Sequence, residues 1–174
     1  YGHGKMLETT QQHSHIISVN GLRVHYWEGN SDQQRTLVML HGFRSSHQGL
    51  MKLANEFPDH HLIIPDFPGY GQTDELQGEH TVHAYAEFIA GLITQLGLTN
   101  VTLMGHSFGA LVGLAYAAQA PDTLLNLVLI SPVPRPNLVS RAGSLYYLIG
   151  RALPAPLDRQ WLTNRTLHRP VRNF

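Results

Sequence analysis

The run Leu103-Met104-Gly105-His106-Ser107-Phe108-Gly109-Ala110 passes from an apolar strand pattern straight into a helix pattern, and it constrains the fold more than any other part of the 174 residues. The Gly-x-Ser-x-Gly spacing reverses the chain within a few residues and leaves the serine in a strained backbone conformation at the mouth of a helix, the arrangement of a nucleophile elbow. Gly105 and Gly109 lack the side chains that would hold strand and helix apart, and His106 supports the bend. Ser107 then projects its hydroxyl where first-turn N–H groups and the positive end of the helix dipole favour a developing negative charge. The competing reading is an ordinary turn. Context argues against it, because residues 101–104 form an apolar strand pattern and residues 107–120 a small-residue helix pattern stopped by Pro121.

The rest of the chain alternates in the same way. Residues 15–19, the turn Asn20-Gly21 and residues 22–27 read as a hairpin, since Asn-Gly supplies the positive φ angles that a two-residue turn demands. Further strands are expected at 36–40, 61–65, 100–104 and 125–130, and helices at 46–57, 81–97 and 107–120. Such βαβ alternation predicts an α/β fold with a mostly parallel sheet flanked by helices. Hydrophobic residues make up 43% and charged residues 14%, enough apolar material for a core and too little charge for disorder. No run approaches the ~18 apolar residues of a spanning helix. Residues 1–14 read as a polar tail without an apolar leader core, so a cytoplasmic location is the default expectation. Cysteine is absent, which excludes disulfides and thiolate metal sites.

Two more loops follow strands. Residues 36–40 run into His41-Gly42-Phe43-Arg44-Ser45-Ser46, and residues 61–65 into Asp66-Phe67-Pro68-Gly69-Tyr70-Gly71-Gln72-Thr73-Asp74. With the elbow and these loops in this order, residues 15–132 resemble the α/β-hydrolase family almost continuously. The resemblance implies a serine hydrolase core over 15–132, with Ser107 as nucleophile and the backbone N–H groups of Phe43 and Phe108 as the oxyanion hole. It implies a small-molecule substrate and no cofactor. Epoxide hydrolases and haloalkane dehalogenases are disfavoured, because those members carry an aspartate where Ser107 stands.

At Pro132 the chain changes character. Residues 133–174 hold seven arginines against the single acid Asp158, whereas residues 1–132 hold eleven acids and five bases. The resemblance makes 133–174 the start of a helical cap. Solvated or carboxylate-paired arginines are the plain reading of its charge. Attraction of an anionic substrate, or membrane contact through the apolar stretch 144–149 between Arg141 and Arg151, is weighed and not favoured. Nucleic acid is not expected, since no basic-aromatic pattern occurs elsewhere.

A serine hydroxyl needs a base oriented by a carboxylate, and in this family the acid and then the histidine follow the serine. After Ser107 only Asp122, Asp158 and His168 are available. Asp122 lies at the far end of the elbow helix, about 20 Å away at ~1.5 Å per residue, and the pair Asp158 and His168 falls in the cap. His41 and His106 belong to the loops themselves, and Asp66 reads as a loop brace. His80 and His83 stand at i, i+3 without a third ligand, so no metal is expected. The resemblance therefore implies an N-terminal two-thirds, inactive alone, whose missing strands, or a dimer partner, would cover the apolar edge at 125–130. The expected activity of the intact protein is ester hydrolysis through an acyl-enzyme. The alternatives are hydrolysis of a carbon-carbon bond in a diketone-like acid and a non-catalytic ligand-binding fold.

Overall fold

The computed structural model describes residues 13–119 and 121–132. The segment expected as a cap, with Asp158 and His168, lies outside the described residues. Among the described residues six strands form one sheet in the spatial order β1-β2-β4-β3-β5-β6. They are β1 (His13–Val19), β2 (Leu22–Gly29), β3 (Thr36–Leu40), β4 (His61–Pro65), β5 (Val101–His106) and β6 (Leu124–Ile130). The hairpin β1-β2 turns at Asn20 and Gly21, whose φ values of 51° and 82° match the positive angles its sequence predicts. β2 runs antiparallel to β4, and the pairs β4-β3, β3-β5 and β5-β6 are parallel. The mostly parallel α/β sheet expected from the alternation is the observed fold.

Central position explains composition. All five residues of β3 are buried, as a parallel strand covered on both faces requires. One face packs Val24, Tyr26, Val38, Leu40, Ile63 and Leu103 against helices α2 (Val82–Gln95) and α3 (Phe108–Ala117). The other packs Trp27, Leu37, Met39, Leu62 and Ile64 under a 3-10 turn (His47–Leu50) that continues into helix α1 (Met51–Ala54).

Helix α2 is bounded by ordinary capping chemistry. Thr81 Oγ1 accepts the Ala84 N–H at 3.1 Å, and at the other end Leu98 N–H reaches Ile93 C=O while Gly97, at φ 62°, donates to Thr94 C=O. That pair of bonds is a Schellman motif, which explains why the chain leaves the helix two residues before the expected end at 97. The helix expected over 46–57 is shorter. It is tight over 47–50 and α-helical only over 51–54, and it unwinds through short bonds from Glu56 N to Leu53 O and from Phe57 N to Ala54 O. Its start is held by contacts to a distant loop, described below, rather than by its own cap, since Ser46 makes no side-chain bond there.

β6 ends the sheet. Along it Leu125 is 61% exposed, with Val128 and Leu129 half-exposed and Leu114 of α3 open beside them. The edge expected to be apolar and unpaired has, among the described residues, no further strand against it.

Candidate active site

Parallel strands β3, β4 and β5 end on the same side of the sheet, and the three loops singled out in the sequence leave from those ends. Ligand sites of open α/β sheets form at such carboxyl ends. Ser107 is the single residue between β5 and α3, with φ 54° and ψ −112°. A non-glycine residue rarely holds that conformation, so it must be imposed by its surroundings. Ser107 N–H donates to Ile130 C=O at 2.9 Å, and Ala110 N–H donates to Ser107 C=O at 3.1 Å. The bend is thus clamped from the last strand on one side and from the first helical turn on the other. Ser107 is partly exposed, its hydroxyl caps nothing in α3, and no described histidine bonds to it.

The glycines of the elbow have a steric role. A Cβ on Gly105 would stand 2.3 Å from Gly109 C=O, and one on Gly109 would stand 2.3 Å from Leu40 C=O. Backbone is the obstacle in both cases, so no side chain can swing aside. Gly109→Ala is accordingly expected to destabilise the protein by about 3 kcal/mol, read as a fall in the urea midpoint at unchanged slope. An unchanged midpoint would show that strand and helix can move apart.

The loop after β3 lies against the elbow. A Cβ on Gly42 would be 3.4 Å from Ser107 Cβ and 3.2 Å from His106 Nδ1. Phe43 is 49% exposed, its ring 6.1 Å from that of Phe108 and 5.9 Å from Tyr70. Phe108 continues edge-on to Phe67 and Tyr85 beneath. The two residues assigned to the oxyanion hole are therefore neighbours, on the same apolar wall next to Ser107. His41 is fully buried. Its Nδ1 is 2.8 Å from Gly42 C=O, and its Nε2 accepts the Phe67 N–H at 2.9 Å. Burial pushes the ring down from 6.5 to about 4, against the opposing pull of the Gly42 carbonyl and Asp66, with His47 adding to the fall. His41 is neutral at physiological pH.

Asp66 ties the loops together. Fully buried, it accepts the His25 ring at 2.8 Å, the His47 ring at 2.9 Å, the His47 N–H at 2.8 Å and the Gln72 N–H at 3.1 Å. Burial alone would raise its carboxyl, yet these hydrogen bonds, those from His47 foremost, hold it down at about 2. The brace expected of Asp66 in its own loop extends to β2 and to the start of the 3-10 turn. The sequence carried no signal for the partners, which lie 41 and 19 residues away. One ring nitrogen each of His25 and His47 and a carboxylate oxygen of Asp66 lie within 4.8 Å of one another, a grouping of metal-ligand type. Each ring is turned onto the carboxylate, two backbone amides share it, and Ser14 Oγ bonds to His25 Nε2. The node is complete as a hydrogen-bond network. Ser14, His25 and Asp66 share the connectivity of a hydrolytic triad, but Ser14 sits on extended strand β1 opposite Trp27, not at a helix mouth. His80 bonds to Tyr85 and His83 pairs with Glu87, so the two do not converge on a common point.

Acid should act on these buried groups in two stages. Between pH 6.5 and about 4 the unfolded chain takes up a proton that native His41 refuses. Stability from this source is complete above pH 6.5 and falls as pH drops through that window, by about 3 kcal/mol in all. Asp66 repeats the pattern between pH 3.8 and about 2, because its native carboxylate holds its charge longer than the unfolded one. Urea midpoints measured from pH 7 to pH 4 should decline, and His41→Asn should flatten the decline. A midpoint independent of pH in that range would mean that His41 is not buried as described.

Comparison with known proteins accords with this geometry. The family model described as alpha/beta hydrolase fold matches residues 35–160, and the chain belongs to that family. It is 30% identical over 158 residues to a cis-3-alkyl-4-alkyloxetan-2-one decarboxylase of Shewanella oneidensis, covering 88% of this chain and 45% of that protein. To Lipase 3 of a Moraxella species it is 28% identical over 117 residues, covering 66% of this chain and 37% of the lipase. Among solved structures, a membrane phospholipase A described as a bacterial virulence factor superimposes with a TM-score of 0.68 at 26% identity, covering 88% of this chain and 57% of that one. The chain spans less than half the length of either relative. No helix among the described residues is long and apolar enough to cross a membrane.

Proposed function

We propose that this chain is the nucleophile-bearing part of a serine hydrolase acting on ester-like carbonyls of small molecules. The observation that carries the reading is Ser107, held at positive φ between β5 and α3 with the Gly42-Phe43 turn against it. Ser107 Oγ attacks the carbonyl carbon and gives up its proton to a base. The carbonyl oxygen becomes an oxyanion held by Phe43 N–H and Phe108 N–H. Collapse expels the alcohol, which takes the proton back, and water then releases the acid from the acyl-enzyme by the same route. The base and its orienting carboxylate belong to sequence outside the described residues, a view supported by the greater length of the relatives. Asp122, exposed beyond α3, does not serve. The lipase and phospholipase likenesses favour ester cleavage over the carbon-carbon alternative, and no cofactor is invoked.

A fluorophosphonate probe tests this on the full-length protein that contains the chain. Labelling that maps to Ser107 and disappears in Ser107→Ala is the expected result. A folded, unlabelled protein would favour the non-catalytic binding role instead.

A further inference from the structure

Away from Ser107 a second serine is joined to an imidazole and a carboxylate. Ser14 Oγ bonds to His25 Nε2, and His25 Nδ1 bonds to Asp66 Oδ2 at 2.8 Å. Ser14 is exposed, whereas His25 and Asp66 are fully buried. The relay therefore runs from solvent inward, and Ser14 is its surface end.

We propose that Ser14 is a reactive serine separate from Ser107, an acyl-accepting site at which His25 takes the hydroxyl proton while Ser14 Oγ captures the acyl group of an aryl ester or thioester. The placement follows from strand register. In the antiparallel pair β1-β2 Ser14 lies opposite Trp27 and Ile16 opposite His25, so Ser14 and His25 are diagonal neighbours on one face. Such diagonals are about 7–8 Å apart, a gap that an imidazole spans. The ring is fixed at its other end. Asp66 also accepts from the His47 ring and from two backbone N–H groups, and these bonds keep it ionised against its burial. An ionised carboxylate can only accept, so Nδ1 of His25 carries a proton toward it. In the neutral ring Nε2 is then bare and accepts the Ser14 O–H, the arrangement in which a base activates a hydroxyl. The backbone beneath is also held, since His25 N–H donates to Thr73 Oγ1 at 2.9 Å and Asp66 N–H to His25 C=O at 3.0 Å.

What Ser14 lacks decides which donors it can use. β1 stays extended from His13 to Val19, so no first-turn amides stand ready for an oxyanion. Aryl esters and thioesters need that help least, because their leaving groups are weakly basic. The bond from Oγ to the acyl carbon forms and the donor's bond from that carbon to oxygen or sulfur breaks. The proton passes from Oγ through His25 Nε2 to the departing phenolate or thiolate. The product is an alkyl ester, and its hydrolysis would have to expel an alkoxide with no oxyanion hole. The acyl group therefore stays on Ser14. Ile16, 53% exposed on the same face, offers it an apolar neighbour.

Ser18 is an internal standard for the test. It is exposed on the same face of the same strand, opposite Arg23, and no described histidine bonds to it. The full-length protein containing this chain, carrying Ser107→Ala so that the elbow cannot compete, is incubated with p-nitrophenyl acetate, and acetylation of each serine is followed by peptide mass spectrometry. A general base contributes about 10²–10⁴-fold, so Ser14 should be acetylated about 100-fold faster than Ser18. The adduct should persist after the reagent is removed. Equal rates at the two serines, including none at either, would overturn the proposal, as would an acetyl group lost from Ser14 as fast as it is gained. His25→Asn should bring Ser14 down to the rate of Ser18, and an undiminished rate would remove His25 as the base. The comparison of Ser14 with Ser18 within one folded protein decides the matter even where that buried substitution prevents folding. None of these outcomes bears on the reading of Ser107, which is absent from the protein tested.

Discussion

Ser107→Ala should reduce ester turnover by on the order of 10⁵-fold, while Ser107→Gly, equally inactive, should unfold at a higher temperature than the parent protein. The first effect follows from removing the only atom that can carry the acyl group in the proposed mechanism. The second follows from the backbone. Ser107 is held at φ 54° and ψ −112° by Ile130 C=O and the first turn of α3. Such a conformation stores about 1–3 kcal/mol in a residue with a Cβ. Alanine keeps the Cβ and hence the strain, whereas glycine relieves it. The midpoint should rise by roughly 2–4 °C for each kcal/mol released in a domain of this size. Thermal unfolding of the three proteins side by side makes the comparison. If glycine brings no gain over alanine, the elbow is not strained, and a structural bend at 107 becomes the better description.

The second large effect is expected at Asp66. Asp66→Ala should destabilise by about 3–5 kcal/mol, a sizeable part of the ~5–15 kcal/mol that holds an ordinary domain together. Two imidazoles and two backbone N–H groups would be left without their acceptor inside the protein. Asp66→Asn should fall between, since one oxygen still accepts while its amide nitrogen confronts donors. Gly71→Ala should imitate the damage from the other direction, because its Cβ would stand 2.1 Å from Asp66 Oδ2, and Gly71 is already at φ 54°. Urea unfolding at pH 7 ranks the three. Equal midpoints for Asp66→Ala and the parent would mean that the carboxylate is solvated and that the node is a surface feature.

The parts of this arrangement that were legible in the sequence are those encoded by neighbours along the chain. Apolar runs of five or six residues marked β3, β4, β5 and β6 close to their observed bounds. Asn20-Gly21 marked the hairpin, and Gly105 and Gly109 marked the elbow, because backbone geometry limits which residues such turns accept. Helix α1 was overdrawn, since its apolar positions serve a short segment pinned at His47, and a pin between loops leaves no periodic trace. The same reason hid His25 and His47. Each looks like one more histidine in a chain that has twelve, and only the fold brings them to Asp66. His41 was legible as part of a His-Gly loop, but its two hydrogen bonds depend on Phe67, 26 residues later. The base and acid that the proposed mechanism needs leave no pattern beside Ser107 in the sequence, and no described histidine bonds to it.

The bond from Ser107 N–H to Ile130 C=O makes β6, the outer strand on that side among the described residues, a stay for the bend at 107. Whatever seats β6 firmly also steadies the serine, and whatever lets that margin fray loosens it. On the serine-hydrolase reading, construction and competence are thereby coupled: a molecule whose rim at β6 still wavers would carry a slack and harmless hydroxyl.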